Sequence, residues 1–430
     1  MPEFLTLLAP DEARVLLISQ LGSLSKGADV IPTSDSLDRI TAEDIFAPHE
    51  LPLFARSSVD GYALRSRDSY GASESLPALF KLVGEIEMGV HPHIRITPGT
   101  CALIHTGGML PTDADAVVMI EQTQKVNSTE LEVVRAVAVG ENVIQVGEDI
   151  SRGQIILERG CRLRPADLGG LMALGITTLK VVTKIKVGLI STGDELVAPG
   201  KPVNIGQVRD VNTYSLGALV IKSGGIINSY GIVRDDIEAL RDMTQKALEE
   251  NDILLITAGS SASARDITAD AIQSLGKPGV LVHGINTRPG KPTILGVCNG
   301  KAVIGLPGNP VSALVNGYLF VLPVIQKLTG EKPRAQAVVL ARLSVNIPSQ
   351  AGREDWVPVK LKPVDRTFVP DPPSSNSSQG LNRLNCIYQA DPIFGKSNLI
   401  FNLVYADGLL RIPEADTGLT AGTWVEVMLL

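Results

Sequence analysis

The middle of the chain alternates between two hydrophobic patterns. Lys186 to Ser191 is a short apolar run that reads as a buried strand, and Ile226 to Val233, Ile253 to Ala258 and Ala302 to Leu306 read as strands as well. Between and after them lie Asn212 to Ser223, Asp236 to Glu250, Ile267 to Leu275 and Pro310 to Leu328, with apolar residues at helical spacing. Strand alternating with helix predicts an α/β domain over roughly 183–330, built on a parallel-type sheet with right-handed crossovers.

The flanks read differently. Pro10 to Leu24 carries Leu16, Leu17 and Leu21 at helical spacing, with Asp11 as the expected cap. From Phe80 to Val146 the β-branched runs are short and broken by Gly, Pro and Asn: Ile94 to Ile96, Cys101 to His105, Ala116 to Ile120 and Leu131 to Val139. That is a β-rich module, spanning 46–149. Arg164-Pro165-Ala166-Asp167 opens a further helix from Leu168 to Leu174, stopped by Gly175. Residues 1–45 together with 150–182 then form an N-terminal helical and linker domain. After Gly330 short strands return at Ala337 to Val345, Trp356 to Lys362, Leu399 to Val404 and Trp424 to Leu429, so 331–430 reads as a small β-barrel-like domain. Asp371 to Gly380, rich in Pro, Ser and Asn, reads as a loop.

Composition narrows the function. The 430 residues carry a formal net charge of -7, which argues against nucleic acid, since binding its backbone needs a basic face. The cysteines, Cys101, Cys161, Cys298 and Cys386, form no C-x-x-C pair, so free thiols are expected instead of a zinc site or disulfide framework. The first residues lack a basic leader with a cleavage site, and no apolar run reaches ~18 residues. A soluble, cytoplasmic protein without a membrane span is the expectation.

Ligands of open α/β sheets sit beyond the carboxyl ends of the strands, and three strand ends here carry unusual loops. Ser191-Thr192-Gly193-Asp194-Glu195 places hydroxyls and acids together. Ala258-Gly259-Ser260-Ser261-Ala262-Ser263-Ala264-Arg265-Asp266 offers backbone N–H groups to an anion, and Asp266 suits an N-cap of the helix from Ile267. Gly305-Leu306-Pro307-Gly308-Asn309-Pro310-Val311-Ser312 has more Pro and Gly than a helix start requires. A fourth element, Asn286-Thr287-Arg288-Pro289-Gly290-Lys291-Pro292, holds two cations in a locked turn, which suits an oxyanion. The acids Asp194, Glu195, Asp235, Asp236 and Asp266 suggest a divalent cation, and magnesium favours one or two carboxylates plus ligand phosphates. No histidine takes part convincingly, and His91, His93 and His105, placed singly, read as structural.

Taken together and in order, these elements resemble the molybdopterin molybdenumtransferase family, whose eukaryotic relatives include the E domain of gephyrin. Ser58-Val59-Asp60-Gly61-Tyr62-Ala63 looks like the family's S-A-M-D-G-Y-A. Thr106-Gly107-Gly108, Ala114 to Val118, Gly147 to Ile150, Gly188 to Leu196, Gly231 to Asp236, Arg288 to Pro292, Gly305 to Ala313, Gly352-Arg353-Glu354 and Ser397 to Pro413 follow. The resemblance implies four domains, a homodimer, and insertion of molybdate into adenylylated molybdopterin with magnesium, releasing AMP and molybdenum cofactor. It implies catalytic roles for Asp60, Asp149, Glu195, Asp235, Asp266 and Lys291, with Glu195, Asp235 and Asp266 on the metal. Asp60 would be contributed across the dimer. The substrate-binding set is Thr106, Ser191, Thr192, Gly193, Gly259, Ser260, Ser261, Arg288, Pro307, Gly308, Asn309, Ser312, Arg353 and Ser397. The pathway's adenylyltransferase is an implied partner.

Two departures stand out. The family's S-G-G-V-S-x-G loop has fewer glycines here, which restricts positive φ. The first Lys of K-P-G-K-P is Arg288, a forked donor instead of a point charge. Both bear on the pterin contacts and on molybdate against tungstate. The alternatives to an insertase are a molybdopterin carrier or a non-catalytic scaffold.

Overall fold

The computed structural model describes residues 7–22, 27–258, 262–334, 337–365 and 386–430. The expected loop 371–380 therefore lies outside the described residues.

The central domain holds a six-stranded sheet in the order Ile226–Val233, Lys186–Thr192, Ile253–Ala258, Lys301–Pro307, Ile294–Cys298, Pro278–His283. The first four strands are parallel. The last two are antiparallel, so the sheet is mixed and not parallel throughout. Alternate residues of each strand feed opposite faces, as the two-residue period requires. Leu189, Leu255 and Ile304 pack beneath Leu216, Val220 and the helical run from Pro310. Ile190, Ile256 and Val303 pack beneath Leu240, Leu248 and Ile272 of the helices Ile237–Glu250 and Ala262–Ser274. Burial on both faces explains the nearly unbroken apolar runs of Lys186–Thr192, Ile253–Ala258 and Lys301–Pro307, whereas the edge strand Ile226–Val233 is only partly buried.

Pro310–Thr329 is long and apolar enough to cross a membrane. Here it is a core element, burying Val311, Val315, Phe320 and Val324. It is not one uniform helix: α turns at Pro310–Asn316 and Leu322–Thr329 flank a π turn at Gly317–Val321. Pro323 follows directly, and a proline has no N–H to give to the preceding turn.

Pro10–Ser19 is helical, but Ala9 is its cap and Pro10 its first residue, leaving Asp11 in the first turn. A proline fits that position because its missing N–H would be unpaired there anyway. Ala13 and Leu17 join the central hydrophobic cluster, where the helix meets Leu322–Thr329 and Ile294–Cys298, so it belongs to the central core. The rest of the N-terminal region closes around the β module. Ala28–Pro32 pairs with Thr178–Val182, and Ile45–Phe46 with Ile155–Leu157. Leu163, Leu171, Leu179 and Val181 form its own small core.

The β module is a six-stranded sheet in the order Ala116–Met119, Gly61–Leu64, Thr100–Ile104, Ala78–Glu85, Glu130–Val133, Thr123–Lys125. Tyr62 and Leu64 face one cluster and Ala63 the other. Gly61 is obligatory, because a Cβ there would lie 1.9 Å from the Val118 carbonyl oxygen.

At the C-terminus five strands close into a barrel. Glu354–Asp365 pairs with Cys386–Pro392, which leads through Val338–Leu343, Trp424–Leu429 and Gly408–Ile412 back to Glu354–Asp365. Phe401–Val404 is helical, not the strand expected from Leu399 to Val404. Thr287–Arg288 of the central domain pairs in parallel with Glu354–Asp355, welding the cation loop to the barrel.

Candidate active site

That pairing closes a cleft of about 700 Å³ between the central domain and the barrel. Arg288, Lys291, Pro307, Gly308, Asn309, Ser312, Arg353 and Ser397 all line it. They come from four separate stretches of sequence, held together by the following contacts. The Asn212 amide donates to the Gly308 carbonyl at 2.8 Å. The Asn316 amide donates to the Ser312 carbonyl at 2.8 Å and to the Pro289 carbonyl at 3.4 Å, fastening the cation loop to the helix start. Gly290 permits that approach, since a Cβ there would fall 1.7 Å from the Asn316 nitrogen and its φ is 112°. The Val311 N–H donates to the Ser397 carbonyl at 3.0 Å, holding the barrel loop against the same helix.

The cleft is electropositive although the chain is acidic. Among the described residues Arg288, Lys291, Arg353 and Lys396 line it, against a single carboxylate, Asp355. Asp355 is already engaged: it accepts from Arg353 Nε at 2.8 Å and Nη2 at 3.2 Å, and from the Ser349 hydroxyl at 3.0 Å. Arg288 lies 3.8 Å from it. The helix from Pro310 points its positive end here, with Ser312 buried in the first turn. Cations beside a helix start are chemically suited to an oxyanion or phosphate.

The acids sit elsewhere. Asp194, Arg234, Asp235 and Asp236 line a second, smaller cavity. Burial pushes the Asp235 carboxyl above the ordinary range, and Asp194 and Glu195 push it further, against a hydrogen bond from Thr192. Asp236 caps its helix by accepting from the Ala239 N–H at 2.8 Å. Asp266 is exposed on the helix Ala262–Ser274. That helix begins before Asp266, so the residue is not a cap, and it is not among the charges that act on Asp235. Among the described residues no group of three or more His, Cys, Asp or Glu could hold a metal. Of the three acids expected on a metal, Glu195 acts on Asp235, and Asp266 is not among the charges that do.

Ser191 and Thr192 are buried, not open to a ligand. The Ser191 hydroxyl contacts that of Thr213 at 3.0 Å and accepts from Thr257 at 3.1 Å, while Thr213 donates to Asp210 at 2.6 Å. This relay stiffens the rim under the Gly193 turn. Gly259, Ser260 and Ser261 lie outside the described residues.

Asp60 and Thr106 meet on the β module. The Thr106 N–H donates to Asp60 Oδ1 at 2.9 Å and its hydroxyl to the same oxygen at 3.3 Å. The backbone bond from Thr106 leads the effects that hold the Asp60 carboxyl below the ordinary range. His105, set aside in the sequence as structural, stands 3.5 Å from Asp60. Asp149 is exposed on a turn whose N–H bonds to the Leu51 carbonyl at 3.0 Å. Lys396 and Asp355 carried no local signal, and only the docked barrel brings them to the cleft.

Family models cover most of the chain. The MoeA N-terminal region (domain I and II) matches residues 8–175, a probable molybdopterin binding domain 188–327, and the MoeA C-terminal region (domain IV) 386–430. The molybdopterin molybdenumtransferase of Haemophilus influenzae is 33% identical over 81% of this chain and 85% of its own. The chain belongs to the MoeA family of molybdopterin molybdenumtransferases. The MoeA relative of Bacillus subtilis, also a molybdopterin molybdenumtransferase, is 30% identical over 93% of this chain and 89% of its own. The crystal structure of a molybdopterin biosynthesis MoeA protein from Pyrococcus horikoshii superposes with a TM-score of 0.83, at 30% identity, over 99% of this chain and 100% of that one. MoeA membership makes the protein an enzyme of molybdenum cofactor biosynthesis.

Proposed function

We propose that the protein inserts molybdate into adenylylated molybdopterin, yielding molybdenum cofactor and AMP. The observation that carries this is the cleft in which Arg288, Lys291, Arg353 and Lys396 converge on the start of the Pro310 helix. These cations hold the tetrahedral oxyanion while the dithiolene sulfurs of the pterin replace its oxygens. Catalysis is then positioning plus electrostatics, with no covalent enzyme intermediate required. Magnesium, held by Glu195 and Asp235 together with substrate phosphates, would supply charge neutralisation at the phosphoanhydride. Burial does most to raise the Asp235 carboxyl, and Asp194 and Glu195 add a repulsion that a bound cation would relieve, which supports this reading. Asp60 and Thr106 act on the site of a second copy in a cytoplasmic homodimer, with the adenylyltransferase of the pathway delivering the pterin.

The test is an insertion assay with adenylylated molybdopterin, comparing molybdate with tungstate and measuring AMP and active cofactor. AMP release only with an added oxyanion supports the reading. Binding of the pterin without oxyanion-dependent AMP release would make the protein a carrier and overturn it.

A further inference from the structure

On the β module an imidazole stands between two carboxylates. His105 Nε2 lies 3.0 Å from Glu85 Oε1, and His105 Nδ1 lies 3.5 Å from Asp60 Oδ1. The backbone builds this arrangement. Asp60 precedes Gly61–Leu64, His105 follows Thr100–Ile104, and Glu85 ends Ala78–Glu85. Those strands are neighbours in one sheet, with Gly61 opposite Ile104 and Glu85 opposite Leu103. Asp60 and Glu85 are the titratable groups that the described residues bring to His105. Every contact to the Asp60 carboxylate among the described residues falls on Oδ1, which leaves Oδ2 for a ligand.

An imidazole donates from both nitrogens only when it is charged. The two carboxylates favour that state: the Glu85 bond raises the His105 pKa most, with Asp60 adding to it. His105, Asp60 and Glu85 are all roughly half exposed or more, so solvent screens the bridge and its effect is modest.

We infer that His105 is a positioning residue for Asp60: as an imidazolium anchored on Glu85 it fixes the Asp60 carboxylate, and it lets go when it loses its proton. This rests on the proposed role of Asp60 in the insertion reaction. The coupling makes turnover dependent on the charge of His105. Activity is supported below the folded-state pKa of His105 and declines as pH rises through it, while Asp60 stays ionised throughout.

The test measures the pH profile of AMP release for the wild type, His105→Gln and Asp60→Asn, alongside NMR titration of the His105 ring in the wild type, Asp60→Asn and Glu85→Gln. The His105 pKa should fall in both carboxylate variants. The wild-type alkaline limb should have its midpoint at the NMR value and vanish in His105→Gln. In that variant kcat should drop roughly two- to fivefold with little change in KM, the scale of an exposed ion pair. An inactive Asp60→Asn with an unchanged limb in His105→Gln overturns the positioning role while leaving the function intact. Full turnover in Asp60→Asn instead sinks the role of Asp60, and with it the inference. A His105 pKa indifferent to both carboxylate substitutions shows that no bridge exists in solution.

Discussion

Arg353 grips Asp355 with two parallel hydrogen bonds, Nε to Oδ1 at 2.8 Å and Nη2 to Oδ2 at 3.2 Å. Asp355 is almost fully buried, so the carboxylate that the described residues bring to the cleft serves to aim an arginine. Asp355→Ala frees that guanidinium. Oxyanion affinity should fall roughly tenfold, the scale of one charge-assisted bond, as measured by calorimetry with molybdate. Tighter binding in the variant would show that the Asp355 charge opposes the anion more than its geometry helps.

Lys291 faces the cleft from a loop held by Asn316 and closed by the Ile285 N–H bonding to the Lys291 carbonyl at 2.8 Å. Lys291→Ala removes one cation and leaves the loop's own bonds intact. Binding of molybdate and of adenylylated pterin should weaken by about tenfold or more, with thermal stability unchanged. Equal affinity in titrations of variant and wild type would remove Lys291 from the site.

Asp235 gives a pH signature. Its folded-state pKa is raised, so the folded state prefers the protonated form. The resulting penalty is absent below the ordinary value of 3.8, grows as pH rises through the interval to the raised value, and is complete above it. Asp235→Asn should therefore raise the melting temperature at neutral pH, with the gap narrowing as pH falls towards 4. Magnesium should raise the melting temperature of the wild type and have little effect on the variant. A variant less stable than the wild type at pH 7 would contradict the repulsion.

Arg162 and Glu331 form a two-bonded ion pair, Nε to Oε1 at 2.8 Å and Nη2 to Oε2 at 2.7 Å, with side chains 8% and 2% exposed. The pair ties the N-terminal region to the segment entering the barrel. Glu331→Ala strands a buried guanidinium, which costs about 3–5 kcal/mol, and denaturant unfolding should record that loss. Replacing both partners by apolar residues should recover much of it. A single variant within 0.5 kcal/mol of the wild type, the range of ordinary surface changes, would mean water reaches the pair.

The sequence showed most clearly what depends on local periodicity. The inner parallel strands Lys186–Thr192, Ile253–Ala258 and Lys301–Pro307 are buried on both faces and stood out. The antiparallel strands Ile294–Cys298 and Pro278–His283 did not, because Pro278, Gly279 and Gly296 read as turn residues. Leu399 to Val404 is a short apolar run that periodicity cannot divide between strand and helix, and packing made it helical. Arg288, Lys291 and the Pro307 loop were legible because Pro and Gly announced special backbone. Lys396 was not, since a lone lysine acquires meaning only from its distant neighbours in the cleft. His105 failed for the same reason, its partners lying 20 and about 45 residues away.

The parallel pairing of Thr287–Arg288 with Glu354–Asp355 also orders events in time. Thr287 bonds a carbonyl 67 residues further along. At about 5–20 residues per second on the ribosome, the cation loop waits roughly 3–13 seconds for the strand that completes its wall. In that interval the nascent chain lacks the strand that carries Arg353 and Asp355, so the cleft takes shape only once synthesis has reached the barrel.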